Sequence, residues 1–301
     1  MISSSTPSSN LPFKIIAGGM LVGGSTLLAY KSDFFKQSTE AKVQISPSIE
    51  KKVLEKAPVL VQHLPESVTY LIIGGGTAAF SASRTIRSND PKSLVLIVTD
   101  EEYNPYMRPP LSKELWFSGL DVKKSFTFQQ YNGRERDIYF EPEEFYLPLN
   151  QFNSSPNGGI SLLKGHKVVK LDPTDRKAYL ENGQMISYEK CLIATGGKAK
   201  NLPIFENSSL EIQDKVILFR NTKDFHRLEE LFHKAKSVTI IGGGFLGSEL
   251  AFALTDASRK SKRKIQLNQL FPEQGVLDRI LPHYLSKWCT DKIIKEGIYF
   301  A

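Results

Sequence analysis

The chain has 301 residues, 41% of them hydrophobic and 24% charged, and 39 Lys and Arg against 32 Asp and Glu leave a net charge of +7. That balance supports a packed core, excludes wholesale disorder, and gives enough length for two domains of ordinary size. The only cysteines, Cys191 and Cys289, provide neither a disulfide framework nor a Cys-x-x-Cys redox pair, so no metal site is expected and any redox chemistry must come from a bound cofactor.

Residues 1–66 read as a targeting or membrane-anchor segment followed by a linker. Residues 1–10 are Ser-rich without an acid, and Ile15 to Tyr30 is uncharged, apolar or small, between Lys14 and Lys31. As a helix that stretch spans ~24 Å against ~30 Å of hydrocarbon, a marginal anchor in which Gly19-x-x-x-Gly23 admits a partner helix. A cleaved secretory leader or transit peptide is the alternative. Lys31 to Glu66 holds Pro47, Pro58 and Pro65 and reads as a linker with a short helix near Ile49 to Glu55.

From Ser67 the pattern changes. An apolar run to Ile73 is too short for a helix and ends in Gly74, Gly75 and Gly76, after which Thr77, Ala78 and Ala79 open a helix-compatible stretch: strand, turn, helix. Gly-x-Gly-x-x-Ala in that setting suits a dinucleotide pyrophosphate lying on a helix N-terminus, although many glycine-rich strand ends are merely turns. Leu94 to Val98 is a second strand. Asp100 and Glu101 at its end can accept from ribose hydroxyls, or are simply a polar strand end. Arg108 and Lys113 flank Pro109-Pro110, which holds two cations fixed near a phosphate or an electron-rich ring. Gly165 to Leu171 with Lys177 to Leu180 predicts a β-meander, and Tyr188 to Ile193 a buried strand leaving through Thr195-Gly196-Gly197, with Cys191 an inert core thiol.

The pattern then repeats. Ser237 to Ile241 runs into Gly242, Gly243, Gly244, Phe245, Leu246 and Gly247, followed by a helix. The two glycine turns lie 168 residues apart, Gly74 to Gly242, and predict two dinucleotides face to face, an arrangement that carries hydride from nicotinamide to flavin. Ile265 to Phe271 predicts a strand ending at Glu273, whose carboxylate favours NAD over NADP. The run Arg259 to Lys264 is a solvated helix end or a DNA-contacting patch. The expected fold is α/β with two Rossmann-like dinucleotide-binding domains, 67–199 and 200–301.

Tyr70-Leu-Ile-Ile-Gly-Gly-Gly-Thr-Ala-Ala-Phe80, Pro105-Tyr-Met-Arg-Pro-Pro-Leu-Ser-Lys-Glu-Leu-Trp-Phe117, Tyr131-Asn-Gly-Arg-Glu-Arg136 and Cys191-Leu-Ile-Ala-Thr-Gly-Gly197 together resemble the mitochondrial apoptosis-inducing factor family, FAD- and NAD-linked flavoprotein reductases of the pyridine-nucleotide-disulfide-reductase fold. The resemblance runs from Thr69 to Glu296, assigns the domain 67–199 to FAD and the domain 200–301 to NAD, and implies that both are incomplete. It implies that Gly74, Gly75, Gly76, Thr77, Ala78, Asp100, Glu101, Arg108, Lys113, Val168 and Arg220 hold FAD. Lys113 and Glu249 match a pair beside the flavin ring and are the catalytic candidates, while Gly243, Gly244, Phe245, Leu246, Glu273 and Arg279 match contacts to NAD. Tyr131 matches an aromatic near nicotinamide, with a packing role as the alternative.

The resemblance further implies an FAD-dependent NADH oxidoreductase with an unidentified electron acceptor, anchored through residues 15–30 in the inner mitochondrial membrane and facing the intermembrane space. It implies a homodimer on reduction by NADH and an intermembrane-space import factor as partner. A role in mitochondrial maintenance and apoptosis follows, with relocation to the nucleus and non-specific DNA contact in cell death. A full family member continues for roughly as much chain again, so weak or absent flavin retention is expected of the chain as written. The alternatives are a truncated non-catalytic isoform that binds partners or DNA, and a ferredoxin-reductase-like enzyme, which shares Arg-Pro-Pro-Leu-Ser-Lys.

Overall fold

The structure is a computed structural model that describes residues 60–117, 126–262 and 264–300. The stretch 15–30 and the expected helix near 49–55 lie outside the described residues. Among the described residues no helix is long and apolar enough to cross a membrane.

The chain lays down β1 (Ser67–Ile73), turns through its glycines into α1 (Thr77–Asn89) and returns as β2 (Leu94–Val98). An excursion follows in which Pro109–Ser112 forms a single 3-10 turn, its first position set by the fixed φ of proline, and leads to α2 (Glu114–Phe117). A hairpin of β3 (Thr127–Gln129) and β4 (Glu135–Asp137) folds back before β5 (Gly159–Leu163) rejoins the sheet. Next come β6 (Val168–Asp172), β7 (Lys177–Leu180) and β8 (Met185–Ile193), the expected meander. The sheet runs β5-β2-β1-β8-β7-β6, with β5, β2, β1 and β8 parallel and the last two joined antiparallel.

Short helices α3 (Pro203–Glu206) and α4 (Leu210–Gln213) lead to α5 (Thr222–Phe232). Asn221 starts α5 with a capping box: its side chain accepts from Asp224 N at 3.0 Å and the Asp224 carboxylate accepts from Asn221 N at 2.9 Å. A second parallel sheet then forms from β9 (Ser237–Ile241), α6 (Phe245–Lys260), β10 (Gln266–Leu270), α7 (His283–Lys295) and β11 (Tyr299–Phe300), in the order β11-β10-β9. Both strand-turn-helix units therefore form where the sequence predicts them.

The last part of β8 departs from expectation. Leu192 and Ile193 are 41% and 64% exposed rather than buried. Only the first half of β8 pairs with β7, at Met185 to Ser187, so beyond it the strand is an edge among the described residues, with β1 on one side. The core beneath the excursion is continuous: Leu111, Leu115 and Trp116 pack in one cluster with Phe225 and Phe232 of α5 and Leu250 and Leu254 of α6.

Candidate functional site

Both glycine turns begin alike. Gly74 N donates to Val98 O at 2.7 Å and Gly242 N donates to Leu270 O at 2.8 Å, which ties each turn to the end of the neighbouring strand. Gly74 and Gly242 have φ of +113° and +126°, a region that a side chain disfavours. A Cβ on Gly74 would run into Ala194 O, one on Gly75 would meet Thr99 Oγ1 at 2.6 Å, and one on Gly243 would meet the Phe271 ring at 2.8 Å. Gly76 and Gly244 are different. They are the N-caps of α1 and α6, neither helix has a side-chain cap, and a Cβ on either glycine would find nothing within 4 Å. Each helix thus presents uncapped N–H groups and the positive end of its dipole to an open cradle that suits a pyrophosphate. Thr77 and Ala78 lie exposed at the mouth of the first, Phe245 and Leu246 at the mouth of the second.

The acids at the end of β2 do not behave alike. Asp100 is exposed, whereas both oxygens of Glu101 are engaged: Oε1 by Arg108 Nη2 at 2.6 Å and Oε2 by the Tyr106 hydroxyl at 2.5 Å. Arg108 also donates to Arg220 O at 3.2 Å and lies over the Tyr106 ring at 5.1 Å. Burial, then the bond to Glu101, pushes the Tyr106 phenol well above its ordinary value, so it remains a neutral donor. Arg220 is exposed and reaches the β8 exit, since a Cβ on Gly196 would stand 3.3 Å from its Nη2. Glu101, Arg108 and Arg220 are therefore brought together. Val168 opens β6 opposite Leu180 and packs on the core behind β1 instead.

Lys113, just after the proline turn, meets Glu249 of α6: Nζ to Oε2 is 2.7 Å, with each side chain 31% exposed. Ser112 Oγ donates to the same oxygen at 2.7 Å. Sequence reasoning missed Ser112, although it lies inside the quoted motif. In the loop after β10, Arg279 Nε pairs with Glu273 at 2.5 Å. A cavity of about 780 Å³ lies beside the excursion, lined among others by Thr77, Met107, Pro109, Phe128, Tyr131 and Arg136. Tyr131 is fully exposed there and packs against none of the described residues. Cys191 and Cys289 are both free thiols, and burial raises the pKa of Cys191.

Two parallel-sheet units, each with a glycine turn feeding an uncapped helix, define a double dinucleotide-binding α/β fold. The chain belongs to the pyridine nucleotide-disulphide oxidoreductase family, whose sequence profile matches residues 68–301. It is 44% identical over 248 residues, 81% of this chain and 33% of the other, to a Drosophila melanogaster protein named for apoptosis-inducing factor 1, mitochondrial. It is 35% identical over 301 residues to apoptosis-inducing factor 1, mitochondrial, of Dictyostelium discoideum, covering 96% of this chain and 53% of the other. It thus spans about half the length of these relatives or less. Among solved structures, the NADH:rubredoxin oxidoreductase of Clostridium acetobutylicum superposes with a TM-score of 0.58 at 24% identity, over 78% of this chain and 53% of the other, and bears on the fold alone.

Proposed function

We propose that this chain supplies the FAD site, in residues 67–199, and the NAD(H) site, in residues 200–301, of an FAD-dependent NADH oxidoreductase of the apoptosis-inducing factor type. The supporting observation is the pair of open cradles at Gly76 and Gly244, joined through the ion pair of Lys113 and Glu249. Gly74 to Ala78 would surround the FAD pyrophosphate, with Arg108 and Arg220 supplying cations and Asp100 accepting from ribose. Glu101 would orient Arg108. Gly243, Gly244, Phe245 and Leu246 would surround the NAD pyrophosphate, and Glu273, steadied by Arg279, would accept from the adenosine ribose. When both cofactors are bound they supply hydride transfer from nicotinamide to flavin. Lys113, held by Glu249 and Ser112, keeps an ammonium fixed in the cleft, a charge that favours an electron-rich ring.

The names of both apoptosis-inducing factor relatives support a mitochondrial location and a role in apoptosis; the membrane anchor at residues 15–30 rests on the uncharged, apolar sequence of that stretch alone. The basic run speaks for a helix end rather than a DNA patch, because Arg259 pairs with Glu296 at 2.5 Å and Lys260 donates to Phe117 O at 2.8 Å. Titration calorimetry with FAD and with NADH tests the assignment. Gly76→Val is expected to abolish FAD binding while leaving NADH binding and thermal stability in place. Unchanged FAD affinity in that variant would sink the proposed phosphate site.

A further inference from the structure

The two turns follow one plan but differ beside the carbonyl of the first glycine. Register pairs Ile73 with Val98 and Ile241 with Leu270, so Ile97 and Gln269 hold equivalent places, and both are fully buried. Where the first unit has an alkyl group the second has an amide. Its Nε2 donates to Gly242 O at 2.9 Å, and its Oε1 has no hydrogen-bond partner among the described residues. The helix side differs at the same spot. Ala79 corresponds to Gly247, and a Cβ on Gly247 would run into Gly242 O and come within 3.4 Å of the Gln269 amide. An amide buried with one end unpaired is unfavourable where an alkyl chain fits, so its bonded end calls for a role.

We infer that Gln269 is a positioning residue for the diphosphate of the second dinucleotide, an inference that rests on the NAD reading above. Its amide holds the Gly242 carbonyl inward between β10 and α6, and Gly247 leaves the space for it. In a planar trans peptide the carbonyl and the following N–H point opposite ways, so anchoring Gly242 O aims Gly243 N–H outward at the mouth of the turn. The next plane is fixed in the same manner, because Leu277 N donates to Gly243 O at 2.6 Å. That bond also ties the loop carrying Glu273 and Arg279 to the phosphate turn. The first unit holds Gly74 differently, against the backbone of Ala194 and Thr195.

Titrations with ADP-ribose, adenosine and FAD separate the possibilities. Gln269→Leu is expected to weaken ADP-ribose about tenfold, the worth of one well-placed hydrogen bond, while leaving adenosine and FAD unchanged. Gln269→Glu keeps the side-chain size and donates only while protonated, so its ADP-ribose affinity should fall as pH rises over a range in which the parent chain shows no such fall. This second variant decides the matter if the first does not fold. Equal ADP-ribose affinity in Gln269→Leu, a loss shared by adenosine, or a pH profile in Gln269→Glu matching the parent would each overturn the inference. A parent chain that binds no ADP-ribose would overturn the NAD reading itself, and the inference with it.

Discussion

Two donors converge on one oxygen of Glu249, and the consequence is positional rather than energetic. With both partners of the Lys113–Glu249 pair about a third exposed, Glu249→Gln should cost less than ~1 kcal/mol in urea unfolding. The same change should weaken FAD binding measured by calorimetry, because Lys113 loses its fixed seat. Burial pushes the Tyr139 phenol up to about 12, while an unfolded tyrosine ionises near ~10. The folded state keeps a proton that the unfolded chain releases, so this contribution is complete below pH ~10 and is lost as pH climbs toward about 12. Alkaline denaturation of Tyr139→Phe should accordingly fall less steeply through that window than the parent's. The sequence singled out Asp100 and Glu101 as a pair, yet only the structure shows Glu101 occupied by Arg108 and Tyr106. Contacts within an irregular loop follow no period, so no pattern could distinguish the two acids.

The glycines within one turn differ in what each can tolerate. Gly74→Ala combines a positive φ with a collision against Ala194 O and should destabilise by ~2 kcal/mol or more. Gly76→Ala has ordinary φ and open space around its Cβ, so its stability should stay within ~0.5 kcal/mol while FAD affinity drops. Parallel urea melts and FAD titrations of the two variants check this contrast. Both strand-turn-helix units were legible because a short apolar run ending in glycine, then small residues, admits few other structures. The exposed end of β8 was not, since an apolar run looks the same whether one neighbour strand or two flank it. The β3–β4 hairpin also escaped, its three-residue strands being too short for alternation. Asn132-Gly133 could have revealed it, as Gly133 takes φ +78° and Gln130 N donates to Arg134 O at 2.8 Å across the turn.

At the scale of the molecule, Trp116 connects parts of the chain that the sequence motifs assign to separate cofactors. Its ring centroid lies 5.0 Å from Phe225 and 5.7 Å from Phe232, and its Nε1 donates to Leu111 O at 2.8 Å. Trp116→Ala should cost ~3–5 kcal/mol and, because the cluster joins the excursion to α5 and α6, should loosen the second glycine-turn unit first in a proteolysis melt, since β1, α1 and β2 pack in separate clusters. The repeat of the glycine motif made two nucleotide units legible, but not that an excursion from the first would fill the core of the second, since no local signal encodes a contact more than a hundred residues away. The other tryptophan, Trp288, is 59% exposed beneath the Lys292 ammonium at 5.1 Å. The protein therefore carries two indoles with opposite optical behaviour. The sheltered one should emit at the blue end and resist acrylamide, while the exposed one should emit at the red end and quench readily. Because the sheltered indole sits three residues from Lys113, its emission offers an unlabelled readout of what happens in the cleft.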